Sequence, residues 1–221
     1  MQQTRSAVKS FSLLVALFGA VVAVGAAGCS SPQSPTVASD SPATSSTPST
    51  AATAAGCAAS DVHRVMLDTK AAEEPKLALP TPAGWEYTAA MNSPMIRGTV
   101  TNIGLRANDF TPNAVVTLED LTGKVTSAQQ GIDAEITGVE QGGMAVQSRT
   151  AGTVCGHPSS TITYTLQNRP VTALITAAED GAKTWAAIVT IQTTDPDNPA
   201  YVASKQAILD GFQFTVSGQD Q

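Results

Sequence analysis

The chain has 221 residues and a formal net charge of −6, from 12 basic and 18 acidic side chains. Because acidic side chains outnumber basic ones, the protein lacks the basic surface that binding to phosphate backbones requires. For the same reason, electrostatic attraction to anionic lipid headgroups is excluded. The length suits one folded domain with an additional segment. The sequence therefore predicts neither a nucleic-acid-binding protein nor a basic peripheral membrane protein.

Residues 1–28 have the three parts of a secretory signal peptide. A basic start with Arg5 and Lys9 precedes an apolar run, and small residues end the segment directly before Cys29. This exit resembles the bacterial lipobox, whose cysteine is acylated and becomes the first residue of the mature chain. We therefore expect a lipoprotein held in the cell membrane by palmitate and other acyl chains on Cys29, facing the extracytoplasmic side of the envelope. A transmembrane helix and an ordinary cleaved signal are the alternatives.

Residues 29–56 form the predicted tether between the acylated cysteine and the folded domain. The segment is rich in Ser, Thr, Pro and Ala, and Asp40 is its one charged residue. It lacks the apolar surface needed to offset the entropy of ordering, so we expect it to be disordered. The globular domain is predicted over residues 57–217, and residues 218–221 form a polar tail.

The first half of the predicted domain combines short strands with two helical patterns. Apolar residues at helical spacing predict a short helix within residues 58–74 and a second helix over residues 125–136. Runs rich in β-branched or alternating apolar residues predict strands at 77–79, 95–105, 114–121 and 144–154.

The second half predicts an antiparallel meander followed by a helix and a last strand. A turn at 156–160 precedes three strands at 161–166, 171–178 and 184–194, which are separated by turns at 168–170 and 179–181. Asn198 is a suitable N-cap, Pro199 fits the first helical position, and Gly211 ends the helix before a strand at 212–216. The predicted fold class is α+β, with a central antiparallel sheet flanked by helices.

Two cysteines remain once Cys29 is acylated. Cys57 opens the predicted domain and Cys155 lies near its middle. Export places the pair in an oxidising compartment, and the sequence shows neither C-x-x-C spacing nor a histidine cluster. We therefore predict a Cys57–Cys155 disulfide, with two separate buried thiols as the alternative.

Four motifs in this order carry a family resemblance over roughly residues 74–217. They are LPTPAGW at 79–85, NAVVTL at 113–118 with LTG at 121–123, HPSS at 157–160, and AILDGF at 207–212. In order and spacing they resemble the LpqN/LpqT-type lipoproteins of mycobacteria. The resemblance implies a fold similar to the Mog1/PsbP type, and an envelope lipoprotein that acts as a binding or accessory protein without a catalytic apparatus.

A search for catalytic residues leaves one alternative to a binding protein. The chain has two histidines and no G-x-S-x-G or S-x-x-K motif. A hydrolase would use Ser159 or Ser160 as the nucleophile with His157 as the base. The competing interpretation is that the serines cap a turn and His157 packs where relatives keep an aromatic residue.

Metal and cofactor sites are not predicted. Asp195, Asp197 and Asn198 offer oxygen atoms to Ca²⁺, but helix capping explains the same residues and the ligand spacing of an EF-hand is absent. No glycine-rich phosphate-binding motif appears. We therefore expect a non-enzymatic, membrane-anchored envelope protein that binds envelope lipids or glycolipids, or a partner protein.

Overall fold

The computed structural model describes residues 56–57 and 60–217. The predicted signal peptide, the acylated Cys29, the tether up to residue 55 and the tail at 218–221 lie outside the described residues. Within the described part, ten strands and two α-helices form: β1 Arg64–Met66, β2 Lys76–Pro80, β3 Glu86–Thr88, β4 Ile96–Thr101, β5 Asn113–Asp120, α1 Ala128–Gln141, β6 Ser148–Val154, β7 His157–Leu166, β8 Arg169–Asp180, β9 Lys183–Gln192, α2 Pro199–Gly211 and β10 Gln213–Thr215.

The strands form two antiparallel sheets. The large sheet has seven strands in the order β3-β4-β5-β9-β8-β7-β6, and the small sheet has the order β1-β2-β10. Strands β6 to β9 follow one another as hairpins, which confirms the predicted meander and extends it by one strand. Strand β5 pairs along its whole length with β9, so the chain returns from the last hairpin to the middle of the sheet.

The two faces of the large sheet are buried to different degrees. Along β5, Ala114, Val116 and Leu118 are buried and alternate with half-buried residues, because successive side chains of a strand point to opposite faces. The buried face packs against the small sheet and α2 in one apolar core that includes Trp185 and Phe214. Helix α1 lies on the opposite face.

Side-chain caps define the start of both helices. The Ser127 side chain accepts a hydrogen bond from the Gln130 N–H, and the Glu179 carboxylate accepts one from the Ala128 N–H. Asn198 caps α2, as predicted, by accepting from two backbone N–H groups. These side chains satisfy donors that a helix N-terminus leaves without an intrahelical partner.

The predicted helix within residues 58–74 is wrong. Residues Arg64–Met66 form β1, which pairs with β2 in the small sheet. Val65 turns toward the core while Met66 is 61% exposed, which is the alternation of a strand and not the stripe of a helix. Apolar spacing over so short a segment fits both structures, and the pairing with β2 decides between them.

Two predicted turns are shorter than expected. The turn before β7 consists of Cys155 and Gly156, both with positive φ, so residues 157–160 belong to the strand and not to a turn. The turn after β7 consists of Gln167 and Asn168, which also have positive φ, so residues 169 and 170 begin β8. Two-residue hairpin turns of this kind need positive φ at both central residues. Pro158 and Pro170 are the second residues of the strands that follow.

A buried ion pair holds the segment between β1 and β2 against β4. The Arg97 guanidinium donates two hydrogen bonds to the Glu74 carboxylate, at 2.8 and 2.6 Å. Burial alone would raise the pKa of Glu74, but the hydrogen bonds from Arg97 and from the Lys70 N–H hold that pKa below its ordinary value. Removal of either partner would leave the other charge buried and uncompensated, which destabilises a fold.

The predicted disulfide between Cys57 and Cys155 is confirmed. It joins the start of the domain to the two-residue turn between β6 and β7. The Cys155 sulfur also accepts a hydrogen bond from the Phe214 N–H, so the turn, the start of the domain and β10 meet at one place.

Removal of the disulfide should destabilise the domain substantially. The two cysteines are 98 residues apart, and closing a loop of that length contributes about 4–5 kcal/mol in the chain-entropy model. We expect a C57S/C155S variant to lose about 3–5 kcal/mol of unfolding free energy, measured by urea denaturation. A reductant should destabilise the wild-type chain and leave the variant unchanged; equal urea midpoints for both chains would contradict the expectation.

Candidate functional site

The structure does not assemble the predicted hydrolase residues into a catalytic group. His157 and Ser159 project to one face of β7, and Ser160 projects to the other face. The His157 ring contacts Phe214 edge-on at 5.6 Å between centroids, as the packing interpretation predicted. Ser159 and Ser160 are 7% and 1% exposed, so neither hydroxyl is open to a substrate.

Ser160 takes part in a polar bridge between β6 and α1. The Arg149 guanidinium donates to the Ser160 hydroxyl at 3.2 Å and to the Asp133 carboxylate at 2.7 Å. This bridge secures one flank of α1 to the sheet. A hydroxyl held by a guanidinium has no base to activate it, so the bridge is structural.

Two of the three residues considered for calcium take part in the cap of α2. Asn198 accepts from the Ala200 and Tyr201 N–H groups, and its own amide donates to Asp195. Within residues 56–57 and 60–217, no three His, Cys, Asp or Glu side chains cluster in a way that would hold a metal ion.

The other flank of α1 borders a part of the large sheet that neither of the two described α-helices covers. Helix α1 packs over β7, β8 and β9, and the methyl group of Ala177 on β8 lies directly beneath Gly131. Beyond the helix, five half-buried side chains cover the same face of β5 and β9 and form what we call the open strip: Val115, Thr117, Glu119, Ile188 and Thr190.

The open strip has a mixed chemical character. Val115 and Ile188 supply apolar surface, while Thr117 and Thr190 supply hydroxyl groups between them. The Thr190 hydroxyl hydrogen bonds to the phenol of Tyr164, whose pKa is raised by burial. A surface that is partly apolar and partly hydrogen-bonding is typical of a site where a polar partner docks, more than of a lipid cavity.

Glu135 is the buried ionisable group at the border between α1 and the open strip. It lies on the sheet-facing side of α1 with 5% of its surface exposed. The pKa of Glu135 is raised to about 7, chiefly by burial and also by the neighbouring Glu119 carboxylate, while Lys124 opposes both effects. The carboxyl group is therefore half-protonated near neutral pH, a property that often marks functional sites.

A shallow cavity lies elsewhere, at the end of the small sheet. Its volume is about 220 Å³, and its lining consists of Ala72, Glu74, Lys76, Thr215, Val216 and Ser217. Pockets for small ligands usually measure about 300–1,000 Å³ and are mostly apolar. This cavity is smaller and largely polar, so it is a weak candidate for a lipid-binding site.

The family model described as Probable lipoprotein LpqN matches residues 57–215. The chain belongs to this lipoprotein family. No curated protein sequence gives a significant match. The predicted LpqN-type family is therefore confirmed over the whole folded domain.

Several solved structures are similar to this chain. LpqN of Mycobacterium tuberculosis, a protein involved in cell envelope biogenesis, is similar with a TM-score of 0.53 and 13% identity, over 71% of this chain and 92% of that chain. PsbP of Synechocystis sp. PCC 6803 has a TM-score of 0.45 and 14% identity, over 74% and 98% of the two chains. The Ran-binding protein Mog1p of Saccharomyces cerevisiae has a TM-score of 0.43 and 7% identity, over 72% and 98%.

The family match and the LpqN structure confirm the predicted α+β architecture, an antiparallel sheet with helices packed on it. At 13% identity the likeness concerns the fold alone. None of the helices in the described part of the chain is long and apolar enough to cross a membrane.

The sequence contained one usable signal for Glu135. The residue falls between Ile132 and Ile136 in the predicted helix, next to its apolar stripe, where a carboxyl group is out of place. The bridge from Arg149 to Asp133 left no such signal, because its two residues lie on different elements.

Replacement of Glu135 with glutamine should change how stability depends on pH. The folded protein keeps a proton on Glu135 that the unfolded chain releases, so stability falls as pH rises from about 4.5 to about 7. We expect E135Q to be more stable than the wild type at pH 8, by about 1–3 kcal/mol, and equally stable at pH 4. Urea unfolding at both pH values measures the difference.

The matched control is E140Q, which alters an exposed carboxylate on the same helix. E140Q should follow the wild-type pH dependence. If E135Q and the wild type lose stability in parallel between pH 4 and pH 8, Glu135 is not the group responsible.

Proposed function

We propose that this chain is a lipid-anchored lipoprotein of the cell envelope that acts as a non-enzymatic binding or accessory protein in envelope biogenesis. The observation that carries the proposal is the family match across residues 57–215. LpqN of Mycobacterium tuberculosis, which has this fold, is involved in cell envelope biogenesis. The lipobox-like segment before Cys29 supplies the anchor in this proposal, and the tether holds the domain away from the bilayer.

The positions of the predicted hydrolase residues favour a binding role over catalysis. A serine nucleophile needs a base within hydrogen-bond reach and access to substrate. Ser160 lies on the opposite face of β7 from His157, and both candidate serines are buried. The hydrolase alternative therefore gains no support.

The proposed binding partner is an envelope protein that docks on the open strip. The cavity at the end of the small sheet, of about 220 Å³, is smaller than the sites that usually hold small ligands, so it offers no support for a lipid carrier. The open strip and the exposed flank of α1 together offer a broad, partly apolar surface, and protein interfaces typically cover about 800 Å² on each partner. Glu119 and Glu135 would favour a partner with a basic group near this border.

The anchor is tested by the variant C29S. Without the thiol there is no acylation, so we expect the protein to leave the membrane pellet and to lose the acyl mass from its N-terminal peptide. Cell fractionation and mass spectrometry measure the two effects. The control S31A keeps the thiol and should remain in the membrane; C29S protein that stays in the pellet as an integral component would refute acylation as the anchor.

The docking surface is tested by photo-crosslinking in intact cells. A photoreactive residue at Thr117 or Ile188 should capture the same envelope protein, identified by mass spectrometry. The same residue at Thr165, exposed on the other face of the same sheet, should not capture it. The variant T117R should abolish the cross-link from Ile188, because a long cation blocks the strip, and T165R should not.

Native mass spectrometry with lipid extraction on the detergent-solubilised chain distinguishes a protein-docking function from a lipid-carrier function. A near-stoichiometric lipid or glycolipid, with no protein captured at the open strip, would replace the docking proposal with a lipid-carrier function.

A further inference from the structure

Strand β6 is a long free edge of the large sheet. It is the outermost strand and pairs with β7 alone among the described strands. Its first six residues are all exposed, and its register with β7 runs without a shift from Ser148 to Val154. An edge of this kind presents unpaired backbone N–H and C=O groups in a regular row.

The other sheet edges in the described part of the chain are short. Strands β1, β3 and β10 each have three residues, whereas β6 has seven. Proteins usually protect long edges with proline, lysine, a bulge or a covering helix. Strand β6 contains neither proline nor lysine, and its one charged residue, Arg149, is turned onto α1 by Asp133. The edge of β6 is therefore regular, and no charged side chain or proline protects its backbone groups.

The turn before β7 determines which backbone groups of β6 are free. In a two-residue hairpin the flanking residues, here Val154 and His157, exchange hydrogen bonds with each other. Because hydrogen-bonding direction alternates along a strand, Gly152 and Thr150 also bond to β7. The N–H and C=O groups of the three intervening residues point away from the sheet: Arg149, Ala151 and Thr153.

We propose that β6 pairs with β6 of a second copy of this chain, antiparallel about a two-fold axis at Ala151. In this register Ala151 pairs with Ala151 of the second copy, and Arg149 pairs with Thr153 of the second copy in both directions. All three outward residues are used, with two hydrogen bonds in each of the three pairs. A register shifted by one or two residues leaves some of these groups unpaired.

Charge and shape favour a second copy as the occupant. The pairing places no like charges opposite each other, because each Arg149 faces a threonine and stays bound to its own Asp133. Ala151 and Gly152 at the centre leave room for close approach of the two strands. Helix α1 does not obstruct the pairing, since two β8 strands would lie about 24 Å apart and a helix is about 10–12 Å wide.

The resulting interface is small, so the association is reversible and not obligate. A ladder of seven residues falls below the area of a standard protein interface. The surface is separate from the open strip, so this inference does not depend on the proposed docking of a partner there.

Cysteine cross-linking in membranes that contain the full-length protein tests the register. Paired Cα atoms at this position would be about 5.5 Å apart, within the range of a disulfide. We expect A151C to form a covalent dimer under mild oxidation, at least tenfold above the wild-type chain. The control S148C is exposed on the same strand, but the two Ser148 positions would be about 20 Å apart and should not cross-link. Peptide mapping confirms that the Cys57–Cys155 bond is intact.

A proline substitution tests the hydrogen bonds of the free edge. A151P removes an N–H that points outward, and it spares the bonds to β7. We expect sedimentation of the detergent-solubilised chain to show at least tenfold weaker dimerisation for A151P, with an unchanged melting temperature. A151G keeps the N–H and should dimerise like the wild type.

The proposal is overturned if A151C links no more than S148C, or if A151P dimerises like the wild type. It is also overturned if A151C is captured by a different protein and not by itself, because the edge then accepts a strand from that partner.

Discussion

The two-residue alternation of the large sheet is the constraint on which the rest of the molecule depends. Every second side chain of β5 and β9 enters the apolar core with the small sheet and α2, and the others face the side of α1. A shift of one residue in the β5–β9 register would exchange the two sets and expose the core. The same alternation separates His157 from Ser160 and brings the five side chains of the open strip together.

Two buried carboxyl groups show how the neighbouring residues decide the chemistry. Glu74 and Glu135 are 9% and 5% exposed, and burial penalises the charge of each. Glu74 receives two hydrogen bonds from Arg97 and stays ionised, whereas Glu135 faces Glu119 and keeps a proton up to about pH 7. The Glu74 carboxylate stabilises a loop, whereas the Glu135 carboxyl group makes the border of the open strip responsive to protonation.

Family membership accounts for the fold of this chain, whereas its surface residues account for the proposed binding surfaces. The family match extends over the domain and accounts for the shared fold, with an identity of 13% to LpqN of Mycobacterium tuberculosis. At that identity, side chains on the surface are free to differ between the two proteins. The open strip and the β6 edge are therefore properties of this chain, argued from its own residues.

The sequence by itself determined the parts of the fold that depend on neighbouring residues. The cap at Asn198 and Pro199, the end of α2 at Gly211 and the alternation of β5 each follow from a few consecutive residues, and each is observed. The disulfide was also predictable, because the expected export and acylation of Cys29 leave two cysteines with one possible pairing.

Tertiary structure alone decided the rest, because those features depend on residues far apart in sequence. Strand β1 forms where a helix was predicted, since pairing with β2 outweighs a weak local pattern. The pKa of Glu135 depends on where α1 lies on the sheet, and the free edge of β6 depends on the order of the strands. Neighbouring residues set the local conformation, but only the packed chain determines which side chains meet and which edge stays open.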